Sequence, residues 1–540
     1  MGDRPVMGSA GEAASGAAAA GTAARPSTRW KLQPGVAALT QGLVASHFAH
    51  LPAAEALFLR LPATGGGAWL AALQSLLPIS NAAGSKADTQ AAAMAFTATG
   101  LAAMGLPAAV LATFSTPFCE GMHQADRQRR LGDVPASGNG PTEGTVIPGG
   151  ARWSANVPDA TLLDAQPPPA TPITVHALLL VYASDAAALA GCLAPVEALL
   201  GAWHIAIVHR RSLSLRADAQ GQQREHFGFV DGVSQPVPTG DATVPASGPQ
   251  ADAQRHWHGV PTGELLLGHP NLHGELAPGP IVASGSPGAE RLASNGAPEG
   301  FCNLGLHGSY LVVRELRQDV AAFWHSLDVA AAALGLPERD ARWLAERIVG
   351  RTLDGDLLAP GGVLPRQDGE PANDQGYART DLHGLGCPLG AHTRRANPRD
   401  SLPSRDGASP DLSLTGDLLK SANAHRILRR GRKYGPDIAD VRQDDGQDRG
   451  LLFMALNSDL VRHFEFIQQT WLLNPSFATL FNETDPLLGP AGRMTIPARP
   501  LRLRPAVQVY VQLVGGEYFF LPSLLALDYL AQLVPVAPGA

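Results

Sequence analysis

The sequence predicts an α+β fold made of two similar units, each an antiparallel sheet with helices packed on one face. Its 540 residues exceed what a single hydrophobic core usually accommodates, so at least two structural units are expected. Short runs rich in Val, Leu and Tyr lead directly into Ala/Leu segments, which is typical of a strand that feeds a helix. This pattern occurs in the first half of the chain and again in the second.

The first unit is expected between about residues 35 and 216, in the order strand, helix, strand, strand, helix, strand. Its clearest part is the apolar run 175–182, which predicts a strand, and the Ala/Leu segment 185–200 after it predicts a helix. The run 204–208 predicts the strand that completes this unit.

The second unit repeats the pattern. Residues 309–313 predict a strand, and residues 319–334 predict a helix that ends at Gly335. Residues 451–456 predict another strand. The apolar residues that follow it have the spacing of one helix face: Leu460, Phe464, Ile467 and Trp471. The apolar segments 507–513 and 518–521 flank a Gly-Gly pair, which predicts a closing β-hairpin.

These elements divide the chain into parts of different character. An Ala/Gly-rich flexible tail over 1–30 precedes a first domain, 31–236, and a Gly/Pro-rich connection, 237–300, leads to a second domain, 301–540. Within the second domain, the irregular stretch 353–448 is rich in Arg, Gly and Pro. Long irregular segments inside a compact domain are usually either functional or disordered.

Composition excludes several classes of protein. The 41 Lys and Arg against 48 Asp and Glu give a net charge of −7, which argues against a nucleic-acid binder. The four cysteines lie far apart without a CxxC pair, which argues against a disulfide scaffold or a cysteine-based metal site. No apolar run is long enough to cross a membrane, and no signal peptide or twin-arginine segment is recognisable. We therefore expect a cytoplasmic protein with no membrane partner.

Two segments combine a candidate ligand or acid with Gly, Pro and Arg residues. Asp231 lies between Val230 and Gly232, so its carboxylate is either held close to the backbone and shielded or part of an ordinary Asp-Gly turn. His392 is followed by three arginines within seven residues. This pattern indicates either a metal ligand inside an anion site or a solvated surface loop.

Two further segments leave similar alternatives open. Arg429 and Arg430 precede a glycine, and they form either part of an anion site or a basic surface. Glu465 lies beside Phe464 on the predicted apolar helix face, so its carboxylate needs a partner if it is buried. That partner is either a functional group or the cation of a structural salt bridge.

Several distinctive segments follow one another along the chain. They are FCEGMHQADRQRRLGD (118–133), GFVDG with VSQP (228–236), GELLLGHPN (263–271), GSYLVVRELRQDV (308–320), CPLGAHTRRANPRD (387–400), RRGRKYGP (429–436) and RGLLFMALNSDLVRHFEFIQQTW (449–471). In this order they resemble the dye-decolourising peroxidase family, and the first of them is similar to the larger members of that family. The similarity extends from about residue 31 to the C-terminus.

The resemblance implies a fold, a cofactor and an activity. The fold would be two ferredoxin-like antiparallel units of the dimeric α+β-barrel superfamily, and the cofactor one haem b per chain. The activity would be reduction of hydrogen peroxide and oxidation of bulky aromatic electron donors such as dyes and phenols, through an oxoferryl intermediate. The alternatives are a non-catalytic haem carrier and an enzyme that oxidises porphyrins. A homodimer is possible.

The resemblance also implies roles for individual residues. Asp231 matches the distal aspartate that moves a proton of the peroxide, and Arg429 matches the distal arginine. His392 matches the proximal ligand of the haem iron, and Glu465 is our candidate for the acid that pairs with its ring N–H. Five more residues are expected to contact the cofactor: Gly228, Phe229, Gly232, Arg314 and Arg394.

Two expectations concern how the enzyme would work. An aspartate must be ionised to accept a proton, and its ordinary pKa of about 4 predicts activity at acidic pH. Bulky dyes cannot easily reach a buried haem, so surface aromatic residues could relay electrons, although most such residues simply pack in the core. The candidates are Trp257, Trp471, Tyr377 and Tyr434.

Overall fold

The structure is a computed structural model. It describes residues 32–534 except 64, 85–87, 137–142, 157–171, 216, 219–220, 239–257, 336–338, 367–374, 403–414 and 499–501. The predicted tail over 1–30, the first part of the predicted connection and Trp257 therefore lie outside the described residues.

The first half of the chain forms the elements that the sequence predicts, in the predicted order. They are β1 (Ala53–Arg60), α1 (Ala68–Leu76), β2 (Gln90–Phe96), β3 (Ala177–Ala183), α2 (Ala186–Ala202) and β4 (Ala206–Ser214). The strands pair antiparallel in the order β4-β1-β3-β2. Asp185 caps α2, since its carboxylate accepts the backbone N–H of Ala188.

The second half repeats this arrangement. Its elements are β5 (Ser309–Gln318), α3 (Val320–Leu334), the short strands β6 (Leu428–Arg429) and β7 (Arg432–Tyr434), β8 (Gly450–Asn457), a π-helical segment (Val461–Glu465 and Ile467–Leu472) and β9 (Val511–Leu521). The order is β9-β5-β8, with β6 and β7 both paired to β8. Both halves thus place their strands in the order fourth, first, third, second.

The two sheets join at both edges and close into a barrel. Strand β7 pairs with β4 through Tyr434 and Leu213, and β9 pairs with β2 through Phe520 and Phe96. Closure leaves the barrel strands without free edges. The chain is therefore an α+β protein whose two antiparallel sheets share one barrel.

Alternate side chains of the barrel strands belong to two different cores. In β3, Leu179 and Val181 pack with the outer helices, whereas Leu178, Leu180 and Tyr182 point to the barrel interior. Every residue of β3 is buried, because both faces of the sheet are covered. This double coverage explains why charged residues make up only 16% of the chain.

Shorter elements connect and flank the barrel. No helix in the described parts of the chain is long and apolar enough to cross a bilayer. The additional helices are Pro34–Leu39, Gly42–Ala45, Ala98–Ala103, Ala108–Leu111, Thr116–Glu120, Ala125–Leu131, Thr262–Glu264, Ala289–Arg291, Ala341–Val349, Tyr377–Thr380, Thr415–Asn423 and Leu524–Leu530. The additional strands are Trp153–Ser154, Ile173–Thr174, Val237–Pro238, Gly259–Val260, Ile281–Ala283, Phe301–Asn303, Leu358–Ala359, Gly362–Val363, Gly492–Arg493 and Ala506–Val507.

The predicted hairpin around the Gly-Gly pair is wrong. Strand β9 continues through Gly515 and Gly516, and its pairing with β5 shifts by one residue between Glu315 and Leu316. A Cβ on Gly515 would lie 2.5 Å from Cδ1 of Trp153. The glycine therefore permits a bulge and the close approach of an indole ring, not a turn.

We predict that Gly515→Ala destabilises the fold by about 1–3 kcal/mol, as overpacking of a core does. Trp153 cannot move aside, because it is fully buried and its indole N–H donates to Glu315 at 2.7 Å. Urea denaturation would measure the change in the free energy of unfolding.

Gly191→Ala is the matched control, since Gly191 is exposed within α2 and a Cβ there meets nothing within 4 Å. That substitution should stabilise the fold by up to about 1 kcal/mol. Equal effects of the two alanines would contradict the packing explanation.

Candidate functional site

A cavity of about 410 Å³ lies where loops of both halves meet the barrel. The predicted site residues Phe229, Asp231, Gly232, Arg314, His392 and Arg429 all line it. Its apolar wall consists of Leu316, Phe453, Phe464, Ile467, Leu472 and Leu513. Gly228 and Arg394 are predicted cofactor contacts that do not line the cavity.

His392 begins the short helix α4 (His392–Ala396) and faces the cavity. Its Nδ1 lies 3.1 and 3.0 Å from the two carboxylate oxygens of Asp485. A carboxylate can only accept here, so Nδ1 carries a proton, and Nε2 is the ring nitrogen left for another partner. Nε2 has no hydrogen-bond partner among the residues that the structure describes.

Asp485 is fully buried in the loop after the π-helical segment. Its Oδ1 also accepts the backbone N–H groups of Leu487 and Leu488, each at 2.9 Å. Burial alone would raise the pKa of this carboxyl, but the His392 ring and these N–H groups outweigh it and lower the pKa below its ordinary value. Asp485 is thus held as an anion against the histidine.

The prediction that Glu465 pairs with His392 is wrong. Glu465 accepts the hydroxyl of Tyr518 at 2.8 Å and forms a buried ion pair with Arg127. The π-helical segment directs this carboxylate toward β9 and the helix Ala125–Leu131. The structural salt bridge, left open from the sequence, is the observed arrangement.

The two arginines after His392 have structural contacts instead. Arg394 donates to the Cys387 carbonyl at 2.8 Å and stacks on Tyr377, because two positions along a helix turn the side chain by about 200° away from His392. Arg395 donates to carbonyls of Trp471 and Glu483 at 2.9 and 2.6 Å. The predicted cofactor contact of Arg394 is therefore wrong.

Asp231 ends a tight loop that glycines make possible. Gly228 and Gly232 have φ of 101° and 80°, a region that residues with a side chain rarely adopt. The backbone N–H of Asp231 donates to the Gln223 carbonyl at 2.9 Å, and its Oδ1 accepts the Gly232 N–H at 2.6 Å. The Asp-Gly pair is therefore both a turn and the support of a carboxylate on the cavity wall.

Arg429 lies beside Asp231 on strand β6. Its Nη1 is 3.7 Å from Oδ1 of Asp231, and its Nη2 donates to the Val233 carbonyl at 2.7 Å. The two side chains remain 37% and 44% exposed, which leaves both groups accessible to a small molecule in the cavity. An acid or base and a permanent cation are thus adjacent.

Arg314 and Arg426 present two further guanidinium groups to the cavity. Arg314 is ion-paired with the buried Asp133, at 3.2 Å between Nη1 and Oδ2. Arg426 is also buried, and it donates to the Ser234 carbonyl at 3.0 Å and to the Asn423 amide oxygen at 3.4 Å. Burial, with help from nearby Arg429, lowers the pKa of Arg426 to about 9. No carboxylate among the described residues neutralises this cation.

The predicted electron-relay residues within the described chain are all buried. Trp471, Tyr377 and Tyr434 expose at most 4% of their surface. Trp471 packs against Phe466 and His425 at ring-centroid distances of 5.3 and 5.4 Å. This supports ordinary core packing for these three residues.

Sequence reasoning missed Asp485 and Arg426. Asp485 precedes a proline in the segment 482–489, and Asp-Pro is a common turn signal. The sequence therefore indicated a loop here but not that Asp485 pairs with His392. Arg426 lies three residues before Arg429 in the same basic segment. Only the fold shows which of these arginines faces the cavity.

Comparison with known proteins gives a consistent result. No family profile matches the chain. The chain is 32% identical over 373 residues to the multifunctional dye peroxidase DyP2 of Amycolatopsis sp.. The aligned region covers 65% of this chain and 70% of that protein. The chain is 28% identical to the dye-decolorizing peroxidase of Mycena epipterygia, over 66% of each chain.

Solved structures show the same similarity. The structure of DyP2 from Amycolatopsis sp. has a TM-score of 0.63 and 25% identity, and covers 92% of this chain and 98% of that one. A DyP-type peroxidase of Anabaena sp. has a TM-score of 0.65 at 23% identity, over 92% and 94% of the two chains. Together with the relatives above, these similarities show that the chain belongs to the dye-decolourising peroxidase family.

Proposed function

We propose that this protein is a haem peroxidase that reduces hydrogen peroxide and oxidises bulky aromatic electron donors. The observation that carries the proposal is one cavity lined both by the carboxylate-paired His392 and by the adjacent Asp231 and Arg429. A protein that only carries haem needs the ligand but not the acid–cation pair.

The residues of the cavity fit a haem b group, one per chain. His392 would hold the haem iron through Nε2, since Asp485 occupies Nδ1. Buried Arg426 lacks a carboxylate partner among the described residues, and a haem propionate would supply one. The apolar wall suits the porphyrin ring, and about 410 Å³ is within the usual range of ligand cavities.

Asp485 would orient the His392 ring and increase its electron density. An anionic partner at the ring N–H fixes the orientation of the imidazole and raises the basicity of the other nitrogen. The haem, when bound, supplies the redox chemistry at its iron.

Asp231 would move the proton of the peroxide. Its Oδ1 is engaged by the Gly232 N–H, so Oδ2 would accept a proton from one oxygen of hydrogen peroxide and return it to the other oxygen as that oxygen leaves. Arg429 is cationic at all relevant pH values and would stabilise the negative charge that develops as the O–O bond breaks.

The relatives support the class of electron donor. The proteins from Amycolatopsis sp. and Mycena epipterygia are named as dye peroxidases, and a similar solved structure is a complex with 2,6-dimethoxyphenol. We therefore assign dyes and phenols as substrates.

The strand orders support two ferredoxin-like units, over 31–236 and 301–540, that together form an α+β barrel within one chain. The homodimer and the cytoplasmic location stay predictions.

We predict that His392→Ala loses or strongly weakens the Soret band of the purified protein, because it removes the axial ligand. Absorption spectra after reconstitution with haem would measure this. His425→Phe is the matched control, since His425 also lines the cavity but its Nδ1 contacts the Arg462 carbonyl. A parent-like spectrum for His392→Ala, or loss of haem only in His425→Phe, would refute the ligand assignment.

We predict that Asp231→Asn keeps the haem spectrum but slows the reaction with hydrogen peroxide by about 100-fold or more, the usual contribution of a general acid–base. Asparagine preserves the shape of the side chain and its contact with the Gly232 N–H. Stopped-flow spectra after mixing with peroxide would give the rate.

The same experiment separates the two classes of function. If the parent protein binds haem but its spectrum does not respond to peroxide, it is a carrier. If Asp231→Asn reacts as fast as the parent, another group moves the proton.

A further inference from the structure

We infer that Glu225 is a positioning residue for Asp231: its carboxylate fixes the loop that carries the acid–base. The inference rests on the proposed function. Glu225 lines the cavity and lies six residues before Asp231. Both residues belong to one loop, which is closed by a hydrogen bond of 2.9 Å from the Asp231 N–H to the Gln223 carbonyl.

The Glu225 carboxylate accepts hydrogen bonds from three N–H donors. Its Oε2 accepts the backbone N–H of Phe227 at 2.8 Å and the Gln318 side-chain amide at 2.7 Å. Its Oε1 accepts the backbone N–H of Phe229 at 2.9 Å. The main chain closes the same loop, since the Glu225 N–H donates to the Phe229 carbonyl at 3.0 Å.

These bonds connect the loop of the first half to the sheet of the second half. Gln318 ends strand β5, so Glu225 ties the loop to a fixed part of the sheet. Arg224 holds the opposite edge, because its Nη1 donates to the carbonyls of Gly228 and Leu353 at 3.0 and 2.7 Å. The part of the loop that precedes Asp231 is therefore held both by Gln318 of strand β5 and by the Leu353 carbonyl.

An ionised carboxylate satisfies every donor at this position. Its two oxygens accept from all three donors, whereas a glutamine would turn an NH₂ group toward N–H groups and leave at least one of them without a partner. The site is also shielded, since burial raises the pKa of Glu225 to about 7 although the N–H groups of Phe227 and Phe229 favour the ionised form.

The anchored loop determines how far the Asp231 carboxylate lies from Arg429. The two groups are 3.7 Å apart, and they contact each other through side chains that are only partly packed. Backbone anchoring, not this contact, therefore sets where the Asp231 carboxylate lies. Small displacements of a catalytic group cost rate without abolishing binding.

The experiment compares Glu225→Gln with a control of the same chemistry. Glu517 is a buried carboxyl that accepts the backbone N–H groups of Met122, Ala155 and Tyr518 at 2.7, 2.8 and 2.9 Å, and its pKa is likewise raised to about 7 by burial. It does not line the cavity. Glu517→Gln thus removes the same kind of support elsewhere in the fold.

Two rates are measured on each holoprotein: reaction with peroxide and binding of cyanide. Cyanide enters as HCN and must leave its proton on a base in the pocket, so its binding reports on Asp231 without turnover. We expect Glu225→Gln to slow both rates at least tenfold, with an unchanged Soret band and an unchanged KM for a phenolic donor. Glu517→Gln should change only the melting temperature.

Each outcome decides the inference. Rates for Glu225→Gln within twofold of the parent, or equal slowing by both variants, would overturn it. If Glu225→Gln does not fold, Gln318→Met is measured in its place, because it removes one of the three donors to Glu225. Slowing of the peroxide and cyanide rates by more than twofold in Gln318→Met supports the inference, and unchanged rates overturn it. A parent that does not react with peroxide would instead refute the proposed function.

Discussion

The Asp485 carboxylate determines which nitrogen of His392 is presented to the cavity, and the other features of the site depend on this choice. Because both carboxylate oxygens lie about 3 Å from Nδ1, the imidazole has one tautomer and one orientation. Arg395 supports this arrangement, since it lies on the same helix as His392 and binds the carbonyls of Trp471 and Glu483, which precede Asp485 in the chain. His392, Asp485 and the loop that carries Asp485 are therefore held together as one unit.

The barrel explains how distant parts of the sequence reach one cavity. Asp231 follows the last strand of the first sheet, whereas His392 and Arg429 belong to the long irregular stretch of the second half. Closure of the two sheets brings the ends of both halves together. The rigid strands fix the frame, and the loops carry the chemistry, as is usual for enzymes. Buried Arg426 adds a guanidinium group that no carboxylate among the described residues neutralises, which suits an anion in the cavity.

The sequence predicted the strands and helices of the first half in the right order. It also singled out Asp231, His392 and Arg429, which line one cavity, because each lies in a short motif with its glycines or arginines. It could not give Asp485 as the partner of His392, since 93 positions separate the two and only tertiary packing joins them. Glu465 was expected as the partner from the family resemblance, but in the folded chain its carboxylate pairs with Arg127 and Tyr518. Likewise, Gly515 and Gly516 have the composition of a turn, and only the packing of Trp153 shows why a strand needs them.

The reduction potential of the haem-loaded protein tests this account most directly. An anionic partner on His392 stabilises ferric iron, so Asp485→Asn should raise the potential by about 60 mV or more, a tenfold change for a one-electron couple. Glu465→Gln should leave the potential unchanged, because that carboxylate pairs with Arg127 and Tyr518. An unchanged potential in Asp485→Asn, or a shift only in Glu465→Gln, would contradict the assignment of Asp485 as the group that controls the ligand.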